Sequence, residues 1–410
     1  MKFDVLIIGG GLAGLTCGIR LQKNGVKCAI VSTGQSALHF SSGSFDLLNE
    51  LPDGTKVDNP MAAVGKVSAN HPYAKLGSEF AYYVHEAKQQ FLDLGIEVAG
   101  DAEQNHLRIT PMGTLKPTWL TFSDFTPFSS VSDMAGKKIR VVNMAGFLDF
   151  NTKFVADSFE KYGAKCQISS INLPELERLR ISPTEMRSTN IARVLENEKT
   201  LEALIMELAG FDVVALPAVF GLSSVAPVRR LKEALNIPVW LIPTMPPSVP
   251  GIRAQQQLRR SFEELGGVYM LGDTVVKADF KGNKVQSVYS VNHGDISFVA
   301  ENFVLASGSY FSNGLIAQPD KVIEPVFGSD VDFTPGRDSW YDKSFFNKQN
   351  YMTFGVATDE KLRIKIKGDV QQNLFAVGSV LGGSNTIHEG CGAGVSMLTA
   401  LYVADNLING

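Results

Sequence analysis

The chain has 410 residues, of which 44% are apolar, 20% charged and 9% aromatic, with a formal net charge of −4. That length is enough for two domains with real cores, and the composition is that of an ordinary globular protein. The acidic balance excludes the basic footprint of a nucleic-acid-binding protein, and no apolar run reaches the roughly 18 residues of a membrane-spanning helix.

Lys2 to Ile8 reads as an apolar strand, followed by Gly9-Gly10-Gly11-Leu12-Ala13-Gly14 and then a helix. A bare G-x-G-x-x-G arises by chance, but a strand before it and a helix after it specify a phosphate-binding turn. Gly9 makes the tight turn, Gly11 lets a phosphate approach the backbone, and Gly14 lets helix and strand pack closely. The N–H groups around Leu12 and Ala13, with the positive end of the helix dipole, face that phosphate. Asp4 and the glycine turn interrupt the apolar run, so no secretion signal is read and a cytoplasmic location is expected.

A second strand runs from Val26 to Val31. An acidic residue is expected at its end, about 20 residues after the glycines, to hold the ribose hydroxyls of an adenosine. Ser32-Thr33-Gly34 stands there instead. A serine makes one neutral hydrogen bond where a carboxylate accepts two charge-assisted ones. The phosphate cradle is kept and the adenosine clamp weakened, which favours FMN over FAD or NAD. A neighbouring group that holds the ribose leaves FAD as the alternative.

Further along, Pro183 to Leu208 is a polar helical stretch, and a helix from about Gly251 to Leu265 carries Ile252, Leu258, Phe262 and Leu265 on one side. Val268–Leu271, Asp273–Phe280 and Lys284–Ser290 read as strands, with a Gly282-Asn283 hairpin turn between the last two. Asn302 to Gly308 is a buried strand ending in small residues. Leu374 to Gly378 is another, followed by a glycine-rich stretch to Gly394 and a last helix to Asn409. The four cysteines, Cys17, Cys28, Cys166 and Cys391, form no C-x-x-C pair. The chain alone is therefore expected to hold neither an iron–sulfur cluster nor structural zinc. His71, His85, His106 and His293 show no metal-ligand spacing and are given no role.

Gly9, Gly11 and Gly14, the Leu305-Ala306-Ser307-Gly308 strand end and Phe375-Ala376-Val377-Gly378 resemble the two-dinucleotide-binding-domain flavoproteins. The resemblance implies an α/β, Rossmann-like FAD/NAD(P)-binding domain in three pieces, 1–50, 250–315 and 370–410. An inserted α+β capping domain takes 51–249 and 316–369. Ser41 to Leu48, Leu216 to Gly221 and Ile387 to Gly392 resemble, more closely, the B-subunit family of bacterial anaerobic glycerol-3-phosphate dehydrogenases, over essentially the full length. That resemblance implies an FMN flavoprotein working beside a catalytic FAD-bearing A subunit and an iron–sulfur C subunit. It also implies peripheral attachment to the inner membrane through those partners, and oxidation of sn-glycerol 3-phosphate to dihydroxyacetone phosphate with electrons passed to quinone.

In such folds the last helix points its N-terminus at the flavin ring. This makes Ala306, Gly308, Gly378, Asn385, Gly390, Gly392 and Ala393 candidate flavin contacts, alongside Ser32, Thr33 and the small-residue run Ser42-Gly43-Ser44. His388 is the candidate for proton traffic, because imidazole titrates near neutral pH. Arg253 follows Pro250-Gly251 at a helix start, where a cation is unfavourable unless an anion, such as a substrate phosphate or a carboxylate, is near. Two other functions stay open: a self-sufficient FAD-dependent dehydrogenase of a small hydroxy or amino compound, and a non-catalytic scaffold subunit.

Overall fold

A computed structural model describes residues 1–182, 184–208 and 211–410, so Pro183, the expected start of the polar helical stretch, lies outside the described residues. The main elements in chain order begin with β1 (Lys2–Ile8), α1 (Leu12–Lys23), β2 (Cys28–Ser32), α2 (Pro72–Leu76) and α3 (Phe80–Asp93). Next come β3 (Lys138–Met144), α4 (Thr152–Lys161), β4 (Lys165–Ile171), α5 (Ser188–Leu195), α6 (Glu198–Glu207) and β5 (Val213–Pro217). Then follow α7 (Ala226–Leu235), β6 (Val239–Ile242), α8 (Val249–Glu264), β7 (Val268–Leu271), β8 (Val275–Lys281) and β9 (Lys284–Ser290). The chain closes with β10 (Val299–Leu305), β11 (Arg363–Ile366), β12 (Asp369–Ala376) and α9 (Gly392–Asn409).

By their contacts these elements form two units. The first comprises 1–37, 46–95 and 257–410, and the second 38–45 and 96–256. The first unit is built on a six-stranded sheet in the order β7-β2-β1-β10-β12-β11. Pairing is parallel from β7 through β12, with β11 antiparallel at the edge. Strands buried on both faces read as continuous apolar runs, as Val5-Leu6-Ile7-Ile8 does. Gly18 of α1 carries no side chain because Phe262 of α8 fills the space, a built Cβ lying 2.8 Å from its ring. Arg20 ties three helices together: its guanidinium pairs with Asp405 of α9 at 2.7 Å and Glu86 of α3 at 2.8 Å.

These ties explain why 46–95 and 316–369 group with the first unit, whereas the sequence reading drew 51–95 and 316–369 into the inserted part. Gln90 of α3 likewise donates to the Thr16 carbonyl of α1, and Lys75 to Thr358.

The second unit has a four-stranded, all-parallel sheet in the order β6-β5-β3-β4, with small antiparallel pieces beside it. The polar helical stretch is two helices, because Asn197 caps α6, accepting from the N–H groups of Lys199 and Thr200. Ala192, Leu222, Val249 and Ile252 form one of its apolar clusters. Helix α8 buries Ile252, Leu258 and Phe262 as expected, but it ends at Glu264 and leaves Leu265 exposed.

Candidate functional site

The ends of three neighbouring parallel strands, β1, β10 and β12, converge on the glycine turn. Gly9 has φ +117°, and a Cβ there would stand 2.1 Å from the Ala306 carbonyl oxygen. A Cβ on Gly14 would stand 1.9 Å from the Gly9 carbonyl oxygen. Both glycines are therefore required by the chain's own packing. Gly11 differs: its nearest neighbour would be the Ser36 Cβ at 3.7 Å, so the space over it is open. Gly11 is also the N-cap of α1, with no side-chain cap and no acid in the first turn. Open space over uncapped amides is the chemistry of an anion site. Gly378, at φ +77°, closes the cluster, since a Cβ there would lie 2.8 Å from that of Ala13. Gly308, at φ +82°, turns the chain after β10 against Ser312.

The end of β2 is different in kind. Ser32 is buried, and its hydroxyl donates to the Gly34 carbonyl at 3.1 Å. The Tyr269 hydroxyl, from β7, donates to the Gly10 carbonyl at 3.1 Å, and the Arg259 guanidinium lies over its ring. A Cβ on Gly10 would sit 2.0 Å from that hydroxyl and 2.7 Å from the Ser32 hydroxyl. Thr33 accepts from the Thr274 hydroxyl. A carboxylate at this corner is Asp273, whose own N–H donates to the Ser32 carbonyl. It is fully committed: Oδ1 accepts from the N–H groups of Thr274 and Asn292, and Oδ2 lies 2.8 Å from His293 Nδ1. Burial works to raise its pKa, but hydrogen bonds from Ser290, and then from Asn292, His293 and Thr274, prevail and hold it below the ordinary carboxylate value. The phosphate turn thus fits a flavin phosphate, while the residues at the end of β2 offer an adenosine ribose no free carboxylate.

The loop before α9 is pinned from several sides. The Asn385 N–H donates to Glu389 Oε1 at 2.9 Å, and the Asn385 side chain accepts from the His388 N–H at 3.0 Å. The Glu389 carbonyl accepts from the N–H groups of Asn49 and Glu50. Gly390, at φ +57°, leaves room for the Asn49 side chain. His388 Nδ1 lies 2.9 Å from Glu50 Oε1, and Glu50 also pairs with Lys56. Gly392 and Ala393 open α9, which has no side-chain cap and no acid in its first turn.

Other candidates fall elsewhere. Ser42, Gly43 and Ser44 belong to the second unit, where Gly43 packs against the Phe125 ring and its N–H donates to Ser41. Arg253 lies in the second turn of α8 and does find an anion, the buried carboxylate of Asp124, while also donating to the Gly221 carbonyl. Sequence reasoning missed Tyr269, Asp273 and His71. His71 is wholly buried, caps α2 by accepting from the Tyr73 N–H at 3.0 Å, and faces Glu389 and Cys391. Only the Asn-like capping position before Pro72 hinted at it.

A parallel sheet with an open glycine turn at its first strand is a Rossmann-like nucleotide-binding architecture, and the family described as FAD binding domain matches residues 4–395, which makes the chain a flavoprotein oxidoreductase. The B subunit of the anaerobic glycerol-3-phosphate dehydrogenase of Yersinia enterocolitica is 44% identical over 100% of this chain and 99% of its own length. Its namesake from Pectobacterium atrosepticum is also 44% identical, with the same coverage. The chain belongs to the family of anaerobic glycerol-3-phosphate dehydrogenase B subunits. Among solved structures, the 3-ketosteroid dehydrogenase of Sterolibacterium denitrificans is similar at 10% identity, with a TM-score of 0.46 and coverage of 100% of this chain and 99% of that one.

Proposed function

We propose that this chain is the FMN-bearing member of a complex that oxidises sn-glycerol 3-phosphate to dihydroxyacetone phosphate. In this reading electrons leave through an iron–sulfur subunit toward quinone, alongside a catalytic FAD-bearing subunit, with the assembly held peripherally at the inner membrane. The choice of FMN is carried by the end of β2, where Ser32, Tyr269 and Asp273 are all spent on the protein itself. The need for partners is supported by the relatives' name, which makes each of them one subunit of several. Among the described residues no helix is long and apolar enough to cross a membrane, in keeping with attachment through other chains.

In this reading the amides around Gly11, Leu12 and Ala13 hold the flavin phosphate, and the N-terminal turn of α9, from Gly392 and Ala393, faces the ring end. The flavin, when bound, supplies reversible two-electron and one-electron chemistry. His388 holds a proton beside it, with its imidazole oriented by Glu50. We assign Arg253 to an ion pair that organises the second unit rather than to the substrate. Release of the chromophore by heat, followed by mass analysis, tests the cofactor. FMN in a 1:1 ratio (about one per chain) is expected, and stoichiometric FAD would overturn the assignment while leaving the fold untouched.

A further inference from the structure

His71, Glu389 and Cys391 bring an imidazole nitrogen, a carboxylate oxygen and a sulfur within 4.8 Å of one another, all buried. The set looks like a metal site, but its protons argue otherwise. The Tyr73 N–H donates to His71 Nδ1, so the ring proton sits on Nε2, the nitrogen that faces the cluster. A metal on Nε2 would need that nitrogen free of the proton that the Tyr73 contact places there.

What remains is a ring N–H beside a carboxylate, off the line of a hydrogen bond but close enough to stabilise its charge. His71 Nε2 lies 3.2 Å from Glu389 Oε2 and 3.9 Å from Cys391 Sγ. Oε2 makes no hydrogen bond among the described residues, and the His71 Nε2–H lies beside it. The other carboxylate oxygen and the main-chain carbonyl of Glu389 take the N–H groups of Asn385, Asn49 and Glu50. Glu389 is thus the hub of the loop that carries His388 and leads into α9, and His71 links that hub to the first turn of α2.

We propose that His71 is a positioning residue for the flavin: its Nε2–H fixes the Glu389 carboxylate, and through it the 385–391 loop and the first turn of α9. The inference rests on the reading that this turn faces the flavin. It assigns the imidazole two separable duties, capping α2 with one nitrogen and holding Glu389 with the other.

Asparagine separates the duties, because its side chain is a good N-cap but has no second nitrogen to reach Glu389. In the full-length apoprotein, His71→Asn should leave the melting temperature close to wild type. It should weaken FMN binding by about tenfold, the cost of removing the N–H dipole that faces a buried carboxylate oxygen with no hydrogen bond of its own. Amide exchange at Asn49, Glu50 and Asn385 should speed up by a similar factor. Glu389→Gln should act in the same direction, and the double variant should be no worse than the poorer single one, since both break one link. His71→Ala should add the loss of the cap.

Wild-type FMN affinity and amide protection in His71→Asn would show that the ring serves only as a cap and overturn the proposal. Fully additive effects in the double variant would also overturn it. If wild-type protein shows no saturable FMN binding, the flavin reading fails instead. Amide exchange in the apoprotein then still decides whether His71 holds the loop.

Discussion

At the scale of single residues, the three glycines of the first turn separate into two kinds. Gly9 and Gly14 are demanded by the fold, because added Cβ atoms would meet main-chain oxygens at 2.1 Å and 1.9 Å. Gly11 meets nothing closer than 3.7 Å. Gly11→Val should therefore fold with a far-ultraviolet spectrum and melting temperature near wild type, yet purify colourless, because the branched side chain takes the phosphate's place. Gly14→Val should not fold at all. A yellow Gly11→Val protein would show that the phosphate lies elsewhere.

The cysteines make a second test. Cys17, Cys28 and Cys391 are buried, and Cys166 is half-buried. Burial, with Glu160 adding to it, pushes the Cys166 thiol up to about 11, and burial pushes Cys28 up to about 12. At pH 8 only about 0.1% of a thiol at 11 is ionised, against roughly a quarter for an ordinary one, though its greater nucleophilicity recovers part of the difference. Disulfide reagents should label the native protein about tenfold more slowly than a free thiol, with the rate rising steadily with pH toward 11. The unfolded chain ionises these thiols from about pH 8.5 while the folded chain keeps them protonated. Their contribution to stability is thus complete below that pH and falls as pH rises above it. A fast-reacting class of thiol in native protein would contradict this.

The geometry of the glycine turn was legible because it is local and strung along a few residues. Tyr269 and His71 were not, since what each touches, Gly10 in one case and Glu389 in the other, lies about 260 and 318 positions away.

At the scale of elements, the apolar strands announced themselves through continuous runs of Val, Ile and Leu, and β7, β9 and α9 fall within a residue or two of their expected bounds. Helix boundaries were harder. The split between α5 and α6 turns on Asn197, a capping residue whose signal was overridden by the helical periodicity on either side. Which helices pack on one another was not legible at all, and Arg20 is an instance. It reads as an ordinary surface cation of α1, but its guanidinium holds α3 and α9 through Glu86 and Asp405, with the Tyr82 hydroxyl as a further acceptor. Its side chain keeps 23% of its exposure, so solvent screens the ion pairs only in part. Arg20→Met should lower the unfolding free energy by about 2 kcal/mol, the loss of charge-assisted hydrogen bonds that leaves carboxylates half-covered. Urea unfolding of the apoprotein measures it. An effect under about 0.5 kcal/mol would mean that packing alone docks the three helices.

At the scale of the whole molecule, the chain is read as one member of an electron-transfer assembly. The isolated chain should show little or no oxidation of glycerol 3-phosphate with a dye acceptor, and activity should return when the catalytic subunit is added. Robust turnover by the chain alone would favour a self-sufficient dehydrogenase. The fold class was legible from motifs at both ends of the sequence, whereas the grouping of 46–95 with the first unit depends on contacts that no local pattern records.

The central strand takes its two neighbours from very different times in the life of the chain. On one side β1 pairs with 28–32, and on the other with 299–305. At roughly 5–20 residues per second, about 14–55 s of synthesis separates the two pairings. For that interval an apolar strand edge stands open on the growing polypeptide, the kind of edge that recruits other chains. Since Gly9 is packed against the carbonyl of Ala306, the glycine turn is itself completed only after that wait. The closed sheet is therefore a late product of translation, complete only once residues 299–305 have been made.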